Sequence, residues 1–405
     1  MTLGGGHEAA PPSVTSGRMH NRPMRHRLIL LASSLFVAVG VSAAGAASFV
    51  VQERPLMRPA LPAGAEMPMN VPEDGAVRMP YVTGGSPGVA QRINAAVWKA
   101  MLDGAAAPAT PGSTWTPPAD KLPQGTTSLR YTARMVPAGD PRLLALAFSG
   151  ESCGAYCEDF TTTHLFDLRD GRELSLGDLL TVDGFAAVGR RVDAERRRAF
   201  QKQLRELRAA VKAARKGNDD GDADERLELN RSCLAEVASA PSTPSSLVGE
   251  DVAIDGHGGL VLTKGRCSNH AMRALDDVGE IVTRISAADL TPWLTPYGRA
   301  VLQHGGDAPA PAVDFGRREL HGQLAGAPIT MTLGPLRAGA REPGRYAYDK
   351  YRTPIDLVVS RDGDQIRATE QAASQGVFDL TIAGGSLVGT WSDKDRRKRL
   401  PVIVQ

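Results

Sequence analysis

Apolar and polar positions follow two rhythms along this chain, and the change of rhythm divides it. Val89, Ile93, Val97 and Trp98 fall on one face of a helix, so residues 89–98 are predicted to be amphipathic and α-helical. Residues 127–136 and 143–149 alternate as strands around a Pro-Ala-Gly-Asp-Pro turn. In residues 164–180, Leu165, Phe166 and Leu168 form a strand edge. Asp170-Gly171 supplies a hairpin dipeptide that tolerates positive φ, and Leu174 and Leu176 resume the strand. Asp178 and residues 181–184 then offer caps for a following helix. A further hairpin is expected around Gly256, His257, Gly258 and Gly259.

From residue 185 to 216 the apolar positions Val188, Val192, Phe200, Leu204, Leu207 and Val211 keep helical spacing on a background of eleven Lys or Arg and three acids. An acidic run follows (Asp219, Asp220, Asp222, Asp224, Glu225, Glu228), and is expected to fold back and neutralise the basic face. An anionic cell-wall polymer or lipid headgroup on that face is the competing reading. The acids begin like a calcium loop, but Glu225 replaces the required Gly and Arg231 the bidentate Glu.

Beyond residue 318 the rhythm is strictly two. Eight short runs (320–324, 329–333, 344–348, 355–359, 365–369, 376–382, 387–391 and 401–404) are separated by Gly or Asp turns, the signature of a β-meander. The fold class expected is therefore α+β, an antiparallel sheet with helices, followed by an all-β meander or lipocalin-like barrel.

Proline-rich stretches mark the joints. The organisation expected is a leader and signal peptide over 1–46, a linker over 47–77 and an α+β domain over 78–305 with a basic helical insertion at 185–230. A second linker over 306–317 leads to the β domain over 318–405. Arg25 and Arg27 precede an apolar run from 28 to 41, and Ala44-Gly45-Ala46 fits a cleavage site. The run is shorter than the roughly 20 residues needed to cross a bilayer. Export to the periplasm or medium is expected, an uncleaved anchor being the alternative. The Gly- and Pro-rich stretch ahead of Met19 and Met24 points to a later start.

Four cysteines fit an oxidising compartment. Three pairings are possible, and the favoured one joins Cys153 to Cys157 around a small loop and Cys233 to Cys267 across the helical insertion. Their spacing matches no zinc pattern, so no metal is expected. A formal charge of +2 argues against a general nucleic-acid role.

Tyr81-Val82-Thr83-Gly84, the Ile93-Asn94 helix, the strand at Leu143, the segment from Phe166 to Leu179 and the ending at 285–294 together resemble the extracytoplasmic domain of lysozyme-sensing membrane anti-sigma factors. The same domain accompanies some peptidoglycan deacetylases. The resemblance covers about residues 78–305 and implies an α+β fold that recognises a lysozyme-like protein. The β domain resembles a module at the ends of secreted bacterial proteins, through Gly344, Tyr346 and Tyr348, then Glu370, Gly376 and Phe378, and the closing Gly389-Thr390-Trp391.

Tyr346, Tyr348 and Trp391 are the candidate binding residues, because aromatic faces suit the apolar faces of sugar rings; Tyr351 lies nearby on the other face if the strand persists. The basic run from Lys394 to Arg399 reads as a solvated turn. No nucleophile-elbow, zincin or phosphate-loop motif is present, and no catalytic residue or cofactor is assigned. The sequence is read as an exported envelope protein that binds a lysozyme-like protein or a peptidoglycan-type glycan without turning it over. The alternative is an unrecognised wall hydrolase or deacetylase resting on His270 beside Asp276, Asp277 and Cys267, with His164 as a further imidazole.

Overall fold

The computed structural model describes residues 48–61, 63–64, 66–102, 107–108, 112–137, 141–154, 156–217, 222–304, 306–311 and 314–405. The expected leader and signal peptide over 1–46 lie outside the described residues. Strand β1 (Val50–Pro55) pairs antiparallel with β2 (Arg78–Thr83), and helix α1 (Pro87–Met101) follows. Part of the stretch expected as a linker is thus a strand. Its mixed Val, Gln, Glu and Arg composition carries no period of its own; the ladder to β2 fixes it.

The central sheet joins β3 (Thr126–Val136), β4 (Leu143–Cys153), β5 (Cys157–Asp167) and the short β6 (Glu173–Leu174) in antiparallel order. Its central strand is apolar on both faces, which explains the unbroken Leu143–Leu146 run. Leu144, Leu146 and Phe148 pack with Ile93, Val97 and Trp98 of α1. Leu143 and Ala145 face the opposite core. Asn94 replaces a missing strand on β2: its side chain accepts from Val82 N at 2.7 Å and donates to Val82 O at 2.9 Å. A buried backbone edge left unpaired would be costly, so this one amide secures the helix-on-strand contact.

After β6 come α2 (Leu176–Leu179), the long α3 (Val182–Gly217), α4 (Ala223–Ser239) and α5 (Pro244–Val248). A second sheet holds β7 (Asp251–Ile254), β8 (Leu260–Lys264) and β9 (Ile281–Ile285), and α6 (Ala287–Leu290) and α7 (Pro296–Gln303) close this half. The disulfides are Cys153–Cys157 at the β4–β5 tip and Cys233–Cys267, which ties α4 to the loop after β8. They fit an oxidising, extracytoplasmic setting. Among the described residues no helix is long and apolar enough to cross a membrane.

The β half is a closed antiparallel barrel in which each strand pairs with the next and the last with the first. Its strands are β10 (Glu319–Leu324), β11 (Ala327–Leu333), β12 (Arg341–Tyr348), β13 (Ile355–Asp362), β14 (Gln365–Glu370), β15 (Val377–Ala383), β16 (Ser386–Ser392) and β17 (Arg399–Val404). Leu357, Ile366, Phe378, Leu380, Leu387 and Val402 are among the buried side chains that fill the interior. Phe315, from the stretch expected as the second linker, is fully buried with them. That linker is partly core. Closure removes the unpaired edges that an open sheet would expose.

The barrel shares a core with the α+β half. Ala383, Val388 and Ile403, on its outer surface by the period of two, are buried with Leu176, Leu179, Leu180 and Tyr297. At this seam Ser175 caps α2, with its hydroxyl accepting from Gly177 N and the Asp178 carboxylate accepting from Ser175 N at 2.9 Å. Thr181, among the residues expected to cap the following helix, stands before α3 and accepts from Gly184 N at 3.0 Å. A Cβ at Gly177 would lie 1.8 Å from the Ala383 carbonyl oxygen, so only glycine lets α2 approach the barrel so closely. Ser386 Oγ donates to Gly177 O at 3.0 Å, and Gln405 Nε2 donates to Leu180 O at 2.9 Å.

Asp178, fully buried, forms an ion pair with Arg172. Replacing it by Ala leaves the partly buried Arg172 guanidinium without its counter-charge. Asp178→Ala is expected to lower stability by about 3–5 kcal/mol, the usual cost of removing one partner of a buried pair. Urea denaturation of both halves would check it, and a change below about 1 kcal/mol would show that Asp178 does not hold the seam.

Candidate functional site

The three aromatic residues singled out in the β domain converge at one end of the barrel, around a carboxylate. Glu370 ends β14, where the chain turns toward β15, and is buried. Its Oε1 accepts from Tyr346 Oη at 2.6 Å and Trp391 Nε1 at 2.9 Å; its Oε2 accepts from Gly376 N at 3.0 Å and from Ser374 Oγ. Burial pushes its carboxyl upward, but these donors outweigh burial and hold it below the ordinary carboxylate value. Burial first, then Glu370, raises the Tyr346 phenol well above its ordinary value, so it remains a donor.

The motif residues have distinct mechanical duties. Gly376 lies under the Trp391 indole, where a Cβ would fall 2.3 Å from Nε1. Phe378 meets the Tyr346 ring edge-on at 4.9 Å between centroids. Tyr346 (3% exposed) therefore belongs to the barrel's internal packing. Tyr348 is half-buried and meets Tyr346 at 5.9 Å; Tyr351 (66% exposed) meets Tyr348 at 6.3 Å, both T-shaped. β12 ends at Tyr348, so Tyr351 sits in the turn beyond it. The result is an aromatic file running from the core to solvent, with Lys350 Nζ 5.2 Å from the Tyr351 ring centre.

The other residues singled out do not gather here. His164 Nδ1 is 2.6 Å from Glu173 Oε1, and its ring packs between Phe148 and Phe166. His270 opens a short 3-10 helix, His270–Leu275, and its side chain lies outside the described residues. Asp276 accepts from Gly279 N at 2.9 Å and Ser268 N at 3.2 Å, which makes it a loop staple. Asp277 pairs with Arg226, and Cys267 is in its disulfide. A free Cys267 nucleophile is excluded by that bond. In the basic turn after β16, Asp393 accepts from Arg397 N at 2.7 Å and Lys398 N at 3.1 Å.

Sequence reasoning missed a second polar centre. Asp167 reads as a turn residue, yet it is buried and takes Tyr297 Oη at 2.6 Å and the Arg142 guanidinium at 3.1–3.3 Å. Burial opposes its charge, but these donors and Arg169 N hold its carboxyl below the ordinary range. Arg142 and Arg172 flank the Tyr297 ring at 5.5 and 5.2 Å. Only Gly171 of the expected hairpin pair takes positive φ (75°), while Asp170 Oδ1 instead accepts from Arg172 N at 3.0 Å. The turn is longer than a two-residue hairpin, because Leu168 is drawn into the core.

No family model and no curated protein matches the chain. Among solved structures, the chain is similar to the crystal structure of a DUF3298 family protein from Pseudomonas aeruginosa PAO1. The sequences are 16% identical, and the match covers 62% of this chain and 94% of that one with a TM-score of 0.31.

Because the Glu370 carboxyl is depressed in the folded barrel, its stabilisation is complete above its unfolded value, near 4.3, and is lost as pH falls through the lower folded value. Stability of the barrel is expected to be flat from about pH 7 to 5 and to fall below about 4. Glu370→Gln is expected to flatten that acid limb. Urea midpoints read by tryptophan fluorescence between pH 3 and 7 would check this; an acid limb unchanged in the variant would remove Glu370 as its source.

Proposed function

We propose that this is an exported cell-envelope protein that binds a glycan of the peptidoglycan type at the barrel end without turning it over. The observation that carries the reading is the aromatic file, in which Tyr348 and Tyr351 bring ring faces from a rigid core to solvent. Glu370 and Trp391 fix the inner end of that file, so the outer rings are pre-positioned and binding orders few further side chains. The disulfides support a periplasmic or secreted setting, where such glycans occur. The resemblance of the α+β half to lysozyme-sensing domains supports a lysozyme-like protein as the second ligand class.

Soluble peptidoglycan fragments should perturb Trp391-linked fluorescence. Tyr348→Ala and Tyr351→Ala are each expected to weaken binding by roughly 2- to 12-fold, the factor given by an aromatic contact of about 0.5–1.5 kcal/mol. Retention of neither peptidoglycan nor lysozyme in a pull-down would sink the proposal, and release of cleaved or deacetylated fragments by the wild-type chain would replace it with the enzymatic reading.

A further inference from the structure

The apolar stripe of α3 is spent on packing: Val188 and Val192 enter the main core, Phe200 packs with Val237, and Leu204, Leu207 and Val211 pack on Leu227 of α4. What remains outward is cationic. Arg190, Arg197, Arg205, Arg208 and Lys212 are exposed, and among the described residues none of them is in an ion pair. At 3.6 residues per turn these five fall within an arc of about 80° and span about 33 Å of helix axis.

Two of the acids expected to neutralise this face are engaged elsewhere. Asp222 pairs with Arg226 and Glu228 with Arg231, both within their own helix or its cap. Glu236 pairs with the buried Arg196, and Asp277 holds Arg226. On α3 itself, Glu195 takes Arg191 and Arg198, and Glu206 takes Lys202. The chain's net charge is only +2, so the stripe is a local concentration of charge and not an expression of a basic protein.

We infer that this face of α3 is a docking surface for a linear polymer bearing phosphate groups. A straight row of cations complements a linear polyanion, and four of the five are arginines, whose planar guanidinium forks match phosphate oxygens. A bilayer fits less well. A helix that settles on a membrane buries its apolar face in the headgroup region, and the apolar face of α3 is already covered by α4 and the core. The surface is separate from the barrel end, and its failure or success leaves the glycan reading untouched.

The test is binding of the full chain to long-chain inorganic polyphosphate across a salt series. Five phosphate contacts on a flexible chain give a log–log salt slope of about −3.5, so affinity should fall about 100-fold between 50 and 200 mM salt. Arg197→Gln, Arg205→Gln and Arg208→Gln combined should reduce that slope by about 2. The corresponding triple Lys variant should preserve it, which separates charge from any effect on folding. Neutralising Arg396, Arg397 and Lys398 in the barrel turn should leave affinity unchanged. An unchanged slope in the triple Gln variant, loss of binding in the barrel-turn variant, or capture by phosphatidylglycerol vesicles but not by polyphosphate would each overturn the assignment.

Discussion

The structure depends on a buried carboxylate at the seam between its two halves. Asp178 is withdrawn from water, and a lone charge there would cost several kcal/mol. It is tolerable because Arg172 meets one oxygen and Ser175 N the other. Both partners come from the same short segment as Asp178, so the charge is satisfied locally. The barrel in turn seals the site, since its β15–β16 turn closes over Asp178 at Gly384. Local turn chemistry and long-range assembly are thereby coupled through one residue.

The coupling extends inward. Arg172 and Arg142 both lie against the Tyr297 ring, and Tyr297 Oη donates to Asp167. The central sheet, the turn after it and the final helix of the α+β half thus meet in one network. Such a network is stable only when nearly every member is satisfied, and it penalises small shifts of any element that supplies a member. The Phe166–Leu179 segment thereby specifies how three elements and a second half fit together.

The barrel was legible because its interior positions alternate and its turns carry Gly or Asp, and all eight runs became strands. The docking of the barrel was not. Val388 and Ile403 occupy outward positions by period, and a sequence gives no sign that another core covers them. Strand β1 was hidden for a related reason, since its extended form comes from β2 some 28 residues away. The burial of Asp167 left no trace in the sequence, because an Asp shortly ahead of Asp-Gly is ordinary turn chemistry, whereas its partners are 25 and 130 residues distant. The aromatic cluster was legible as residues, but the carboxylate that organises it was visible only as a motif letter.

Three buried acids are therefore structural staples. Glu370 takes its hydrogen bonds from four groups of the barrel, Asp167 binds an arginine and a tyrosine, and Asp178 is shared between a cap and an ion pair. A carboxylate saturated in this way has few lone pairs left for a substrate proton or a metal, and moving it would expose the cost of its burial. Motif residues of this chain consequently mark where the fold is held. The surfaces proposed for recognition lie apart from these staples: the rings leaving the barrel at Tyr348 and Tyr351, and the cationic row along α3.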